Sequence, residues 1–146
     1  MRATVRYRDY QVGDFPYIQK LWLATDMGGA HRGDDATTIE ATLAHGGRFW
    51  VLEDQQGGPL AGSAWLTTDG RRLYLHHFAI RPDLQGRGLG RELLNQVMAA
   101  ARSMGLQLKL EVRRDNTRAQ KLYRRGGFQP LGDYEVLIIR ETGRKP

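Results

Sequence analysis

Apolar residues recur along the chain with two different periods, one typical of strands and the other typical of helices. Alternating or nearly continuous apolar positions predict strands at residues 3–8, 48–53, 60–67, 72–80 and 106–113. Apolar positions three and four residues apart predict helices at residues 14–24, 36–44 and 89–104, with another helix after Asn116. Glycine-containing turns at residues 55–58 and 69–70 separate the three central strands, as in hairpins.

Two apolar runs near the carboxyl terminus, Phe128 to Leu131 and Tyr134 to Ile139, predict closing strands. No repeat, linker or low-complexity segment divides the 146 residues, a length that suits one domain. We therefore expect a single domain over residues 1–146 with a mixed α/β (α+β) fold. Its central mixed, mostly antiparallel sheet should have six to seven strands, flanked by about four helices.

Composition narrows the functional classes. The chain has no cysteine, which excludes disulfides, thiol nucleophiles and thiolate metal sites. Its four histidines show no ligand spacing with carboxylates, so we expect no metal. No apolar run approaches the ~20 residues of a membrane span, and no apolar signal core opens the chain. We expect a cytoplasmic protein with no membrane partner.

The net charge of +6 comes mainly from arginine, which supplies eighteen of the twenty-two cations. Such a balance is compatible with a nucleic-acid partner, an anionic cofactor or a solvated helix face. Six of the cations lie between residues 113 and 125. The chain has no basic helix-turn-helix or RNA-binding signature, so we expect no nucleic acid.

A glycine-rich segment, Gln85-Gly86-Arg87-Gly88-Leu89-Gly90, lies between a predicted strand and a predicted helix. Glycines let the backbone approach a pyrophosphate closely, and the helix N-terminus supplies free N–H groups and positive charge. Gln85, Arg87 and Arg91 add side-chain donors at the same place. This segment, the glycine-rich loop, therefore predicts phosphate binding.

Two common phosphate motifs do not fit the glycine-rich loop. A dinucleotide-binding G-x-G-x-x-G motif starting at Gly86 would need glycine where Arg91 stands. A Walker-type loop would end in Gly-Lys followed by Ser or Thr, and the chain contains no Gly-Lys pair.

The glycine-rich loop instead resembles the [Arg/Gln]-x-x-Gly-x-[Gly/Ala] acyl-CoA pyrophosphate motif of the GNAT family of N-acetyltransferases. A second GNAT motif, Asn-x-x-Ala-x-x-x-Tyr-x-x-x-Gly-Phe, is matched by Asn116, Ala119, Tyr123, Gly127 and Phe128. One predicted strand separates the two motifs, as the family's order of elements requires. The resemblance covers roughly residues 73 to 128.

The resemblance implies an acyl-CoA N-acyltransferase domain that uses acetyl-CoA as cosubstrate and transfers acetyl to a primary amine by direct attack. It implies a bulge in the strand that ends at Ile80, with a backbone N–H near Phe78 to Ile80 available to the thioester carbonyl. It also places the hydroxyl of Tyr123 near the CoA sulfur. The cofactor-binding residues that it implies are Phe78, Ile80, Gln85, Gly86, Arg87, Gly88, Leu89, Gly90, Arg91, Asn116 and Tyr123.

Direct attack requires a neutral amine, because an alkyl ammonium with a pKa of about 10 is not nucleophilic. His76 falls where some members of the resembling family carry a histidine, and we prefer it as the base, acting through water. Tyr74 falls at another position that the family uses, and His77 and bulk solvent remain alternatives. Strand alternation predicts that His76 shares a face with Tyr74, Phe78 and Ile80, whereas His77 points the other way.

The acceptor is not identified by the sequence. His31 and Arg32 lie in a polar, glycine-rich segment between the first two helices, which commonly forms one wall of the acceptor site in the resembling family. Together with Tyr74 they are candidate substrate residues. A non-catalytic acyl-CoA-binding regulatory protein is the alternative function, and a homodimer could form through the apolar run Val136 to Ile139.

Overall fold

The computed structural model describes residues 5–25, 33–55 and 60–143 of the chain. The described residues form one five-stranded sheet with its strands in chain order. The strands are β1 (Val5–Asp9), β2 (Arg48–Asp54), β3 (Gly62–Thr68), β4 (Arg72–Ile80) and β5 (Gln107–Leu110). Neighbouring strands pair antiparallel except β4 and β5, which are parallel. The predicted mixed, mostly antiparallel sheet is therefore confirmed.

Helices cover both faces of the sheet. They are α1 (Phe15–Ala24), α2 (Ala36–Ala44), α3 (Leu89–Met104) and α4 (Thr117–Arg125). Leu93 and Val97 of α3 are fully buried against one face of the sheet, in a cluster that includes Leu73 of β4. Ile18 of α1 and Ile39 of α2 are buried against the other face. Within the described ranges, no helix has both the length and the apolar composition needed to cross a bilayer.

A bulge interrupts β4 near its carboxyl end. Ser63 pairs with Ala79 and Trp65 pairs with His76, so two residues of β4, His77 and Phe78, face the single residue Ala64. The bulge that the resemblance implied is therefore present. His77 has φ of +44°, the left-handed region in which histidine is enriched among non-glycine residues but still uncommon.

The parallel strands β4 and β5 separate after a short pairing. Their register runs from Arg72 opposite Gln107 to Leu75 opposite Leu110, whereas β4 continues to Ile80. The strand predicted over residues 106–113 is thus shorter, because the chain leaves the sheet after Leu110. Beyond Leu110, a gap opens between the end of β4 and the segment that follows β5.

The two predicted closing strands are wrong, because the described residues 128–143 contain no strand. This segment, the C-terminal arm, instead exposes large apolar side chains: Leu131, Tyr134, Val136, Leu137, Ile138 and Ile139. A strand needs a paired neighbour as well as an apolar pattern, and the strand at this edge of the sheet, β5, has only four residues. The described part of the sheet has five strands rather than six to seven.

Candidate functional site

A cavity of about 920 Å³ extends from the gap between β4 and β5 to the beginnings of α3 and α4. The end of β4 lines one side with Phe78, Ala79 and Ile80. The glycine-rich loop lines one end with Gln85, Gly86, Gly88 and Gly90. The two sequence motifs, separated by 25 residues between Gly90 and Asn116, therefore meet at one cavity, which also includes Asn116 and Tyr123.

The glycine-rich loop adopts the backbone that its glycines permit. Gly86 and Gly88 have φ of +81° and +83°, which side chains with a Cβ rarely tolerate. Gln85 holds the loop by donating from Nε2 to the carbonyl oxygen of Ile80 at 2.9 Å. Because α3 begins at Leu89, its first N–H groups have no carbonyl partner inside the helix. The loop thus presents backbone donors to an anion beside the cavity.

Cations line the cavity in excess of carboxylates. Its basic residues are Arg91, Arg113, Arg118, Lys121 and Arg125, and its acidic residues are Glu111 and Asp115. Arg118 donates to Oε1 of Gln85 at 3.1 Å, which joins α4 to the glycine-rich loop. This set of donors suits a phosphorylated ligand. Two predicted cofactor-binding residues do not line this cavity. Arg87 is not among the cavity-lining residues, and the side chain of Leu89 is buried in the core.

Tyr123 lies in the wall of the cavity and is only 8% exposed. Its ring packs edge-to-face on Phe78 and Phe128, with centroid distances of 5.9 and 5.7 Å. Burial raises the pKa of Tyr123 to about 12, so the phenol holds its proton throughout the neutral range. Asn116 caps α4 by accepting from the backbone N–H of Ala119 at 3.1 Å.

His76 lies beside a second cavity of about 270 Å³, together with Tyr74 and Lys109. Its Nε2 is 2.8 Å from Oγ1 of Thr67, and its ring lies against Trp65 with a centroid distance of 5.6 Å. Burial lowers the pKa of His76 below the ordinary value, with a smaller contribution from the neighbouring His77. His76 is thus placed close to the site, but in the smaller cavity.

His77 lines both cavities. Its Nε2 is 2.8 Å from Oδ2 of Asp34, and its ring is stacked on Trp22 with a centroid distance of 3.9 Å. Its ring is also stacked with Trp65, at 6.0 Å, so both histidines lie on the same side of the sheet. The expected alternation is therefore wrong beyond His76, because the bulge inserts one residue and moves Phe78 and Ile80 to the other face.

Sequence reasoning missed Asp34 as a site residue. Asp35 caps α2, accepting from the backbone N–H of Thr38 at 2.8 Å. Because one helix needs only one capping residue, the second carboxylate of the Asp34-Asp35 pair was the signal in the sequence that could have indicated another role. Two predicted acceptor residues, His31 and Arg32, lie outside the described residues. In the part of the chain that the structure describes, no three His, Asp or Glu residues are grouped to hold a metal.

Comparison with known proteins gives a match to the model of the Acetyltransferase (GNAT) family over residues 15–128. A mycothiol acetyltransferase from Beutenbergia cavernae is 31% identical over 124 residues, which cover 77% of this chain and 42% of that protein. The N-alpha-acetyltransferase RimI from Mycobacterium tuberculosis is 42% identical over 82 residues, which cover 53% of this chain and 51% of that protein. The chain thus spans about half or less of the length of these relatives.

The fold is also found among solved structures. A predicted acetyltransferase from Clostridium acetobutylicum, solved with acetyl-CoA, has a TM-score of 0.72 at 15% sequence identity. The match covers 97% of this chain and 100% of that one. At this identity the likeness concerns the fold.

Proposed function

Since the chain belongs to the Acetyltransferase (GNAT) family, we propose that it is an acetyl-CoA-dependent N-acetyltransferase. It transfers acetyl to a primary amine of a small molecule or protein by direct attack. The observation that carries the proposal is the single cavity in which the glycine-rich loop and the buried phenol of Tyr123 are found together. The end of the cavity at the glycine-rich loop suits phosphate groups, and the wall at Tyr123 suits proton transfer to a thiolate.

The described residues fit the cosubstrate at several points. A Cβ on Gly86 would lie 3.3 Å from Nη2 of Arg118, so the glycine keeps the loop close to a cation that can bind pyrophosphate. Gln85, Gly88, Gly90 and Arg91 complete this end of the cavity. Arg87, Leu89 and Asn116 remain predicted contacts, through backbone atoms in the case of the buried Leu89.

Acetyl-CoA, when bound, supplies the thioester whose carbonyl carbon the amine attacks. The bulge supports a role for backbone N–H groups between Phe78 and Ile80 in stabilising the charge that develops on the carbonyl oxygen. Tyr123 keeps its proton at neutral pH and can give it to the departing sulfur. His76 and His77 both lie beside the smaller cavity, and either imidazole can accept a proton from the amine.

The cofactor site is tested by thermal unfolding with acetyl-CoA, ATP and NADH at matched concentrations and moderate salt. A ligand at ~100 times its dissociation constant stabilises by about 2.7 kcal/mol, which is a rise of several degrees. We expect this rise with acetyl-CoA alone. Arg118→Gln should reduce it, whereas the matched control Arg114→Gln, which does not line the cavity, should leave it unchanged. An equal rise with all three polyanions contradicts a specific site.

Turnover is tested by thiol release from acetyl-CoA in the presence of four amines: a peptide with a free α-amine, an amino acid, an amino sugar and a diamine. Release that depends on both the protein and one of these amines supports N-acetyl transfer and identifies the acceptor class. An acetyl-CoA-specific thermal shift with no thiol release would instead establish the non-catalytic binding protein. The two measurements therefore separate the two functions.

We further propose that the protein forms a homodimer through the C-terminal arm. The exposed fractions of Val136 and Ile138 are 73% and 68%, and an exposed apolar run of this kind typically marks an interaction surface. Light scattering across protein concentration should give the mass of a dimer. The double substitution Val136→Lys and Ile138→Lys should give a monomer, whereas Arg102→Lys, on the last turn of α3, should not change the mass.

A further inference from the structure

The wall between the two cavities contains one imidazole. Four residues line both cavities: Leu75, His77, Leu110 and Glu111. The larger cavity holds the proposed thioester site and the smaller one opens on the same stretch of β4. Histidine is the side chain whose ordinary protonation equilibrium lies near neutral pH, which suits a base at a shared wall.

Contacts from α1, from β3 and from the segment before α2 fix the position of His77. The ring is stacked on Trp22 of α1, with planes 18° apart, and Nε2 meets Oδ2 of Asp34 at 2.8 Å. Its carbonyl oxygen accepts from Oγ of Ser63 at 2.7 Å, and Trp22 donates from Nε1 to the same Oγ at 3.2 Å. Ring and backbone are therefore held by one connected network.

The bond to Asp34 selects the tautomer of His77. An ionised carboxylate only accepts hydrogen bonds, so Nε2 of a neutral His77 carries the hydrogen. Nδ1 then holds the free lone pair. A carboxylate behind an imidazole also stabilises the cation that forms when the ring takes up a proton. Asp34 is thus suited to be a positioning residue.

His76 lacks this arrangement. Its Nε2 is bonded to the hydroxyl of Thr67, a neutral group, and it lines the smaller cavity without reaching the larger one. Burial lowers its pKa, so its imidazole binds a proton less readily. The structure therefore favours its neighbour, although the sequence pattern favoured His76.

We infer that His77, positioned by Asp34, is the catalytic base that accepts a proton from the acceptor amine, directly or through one water. This inference rests on the proposed N-acetyltransferase function. The ammonium gives one proton to His77 and becomes a neutral amine. Its nitrogen forms a bond to the carbonyl carbon as the carbon–sulfur bond breaks. The sulfur leaves as thiolate and takes a proton from Tyr123, the phenol regains one from the acylated nitrogen, and His77 releases its proton to solvent.

The pH dependence of the reaction identifies the base. Asp34, which precedes α2, contacts the His77 ring, and the smaller cavity beside that ring is also lined by Tyr74, His76, Lys109 and Glu111. Helix α1 and strand β3 contribute the uncharged indoles of Trp22 and Trp65. Because a base must be unprotonated to act, kcat/KM should fall as the pH is lowered. The group that produces this acidic limb is the base.

The experiment compares His77→Asn with His76→Asn, which tests the other candidate imidazole, and with Asp34→Asn. Asparagine tolerates positive φ, so His77→Asn should keep the fold. The rate is thiol release from acetyl-CoA between pH 5.5 and 9 with the most reactive of the four amines, or with water if no amine reacts. We expect His77→Asn to lower kcat/KM about 100-fold or more and to abolish the acidic limb. His76→Asn should lower kcat/KM much less than His77→Asn does and should leave the limb intact.

Asp34→Asn should lower kcat/KM about tenfold, through kcat rather than KM, since the imidazolium loses its carboxylate partner. All three variants should retain the thermal shift with acetyl-CoA. The inference is overturned by wild-type turnover that His77→Asn leaves unchanged, or by loss of the limb in His76→Asn alone. An absence of thiol release by the wild-type protein with every nucleophile overturns the N-acetyltransferase function as well, and so distinguishes the two failures.

Discussion

The proposed role of Tyr123 requires its hydroxyl to be protonated. With a pKa of about 12, its hydroxyl is protonated at neutral and mildly alkaline pH. We expect Tyr123→Phe to lower kcat about 10-fold to 100-fold, at the weak end of acid catalysis because a thiolate is a good leaving group. The acetyl-CoA thermal shift should persist, and Tyr17→Phe, a half-exposed control on α1, should change neither quantity.

Two glycines of the same loop are expected to respond differently to alanine. Gly88 has φ of +83°, and no described atom lies within 4 Å of the position that a Cβ would take, so Gly88→Ala should cost about 1–2 kcal/mol through backbone strain alone. Gly90 is helical, and its Cβ would contact Cδ2 of Leu122 at 3.4 Å, so Gly90→Ala should be neutral or stabilising by about 0.5 kcal/mol. Urea unfolding measures both; equal losses would contradict the conformational explanation.

At the residue scale, the sequence was sufficient wherever the chemistry is local. The glycine-rich loop follows from two glycines at positive φ, and the cap from Asn116 to Ala119 follows from residue type. The side of the sheet on which the His77 ring lies could not be predicted from residue type. It depends on a bulge that changes the register between two strands, and on Trp22 and Asp34, which are distant from it in sequence.

At the scale of elements, periodicity predicted the four helices and the five strands of the described residues, because each element buries apolar side chains on one or both faces of the sheet. The same signal failed for Tyr134 to Ile139. An apolar run describes what a segment could bury, whereas strand formation also requires a free and sufficiently long edge. The short β5 illustrates that requirement, since its pairing ends at Leu110.

One buried carboxylate, at the residue before α1, connects this helix to β1. Asp14 accepts from both Nη1 and Nη2 of Arg8 at 2.8 Å. Burial by itself would raise the pKa of Asp14, but the hydrogen bonds from Arg8 and from the backbone N–H of Gln11 outweigh it, so the pKa is lowered. A lowered pKa in the folded state stabilises the fold above the unfolded value, about 3.9.

We expect Asp14→Asn to reduce the free energy of unfolding at pH 7 by about 2 kcal/mol. The difference from wild type should shrink as the pH falls below about 4 and through the folded pKa, because the wild-type carboxyl then becomes protonated too. Urea unfolding at pH 3, 5 and 7 measures it. Asp133→Asn, on the exposed C-terminal arm, should show no difference at any pH, and a constant Asp14→Asn deficit would exclude the ionic explanation.

At the scale of the whole molecule, the C-terminal arm contributes exposed apolar surface and little burial. A chain that ends at Leu131 should therefore unfold within about 2 °C of the full chain, measured at a concentration where both are monomeric. The same truncation should abolish the concentration dependence of the melting temperature that a dimer produces. A drop of several degrees in the monomer would show that the arm packs on its own subunit.

The backbone at position 77 limits which amino acids can occupy it, independently of catalysis. With φ of +44°, glycine adopts this backbone most readily, asparagine, aspartate and histidine are enriched among the other residues, and β-branched residues are the least tolerated. Histidine thus meets two separate requirements at this position: it tolerates a positive φ, and its imidazole can accept a proton. A saturation library selected for folding alone should accept glycine and asparagine as well as histidine there, whereas selection for turnover should accept histidine alone. Few substitutions at position 77 should therefore preserve both the fold and the activity.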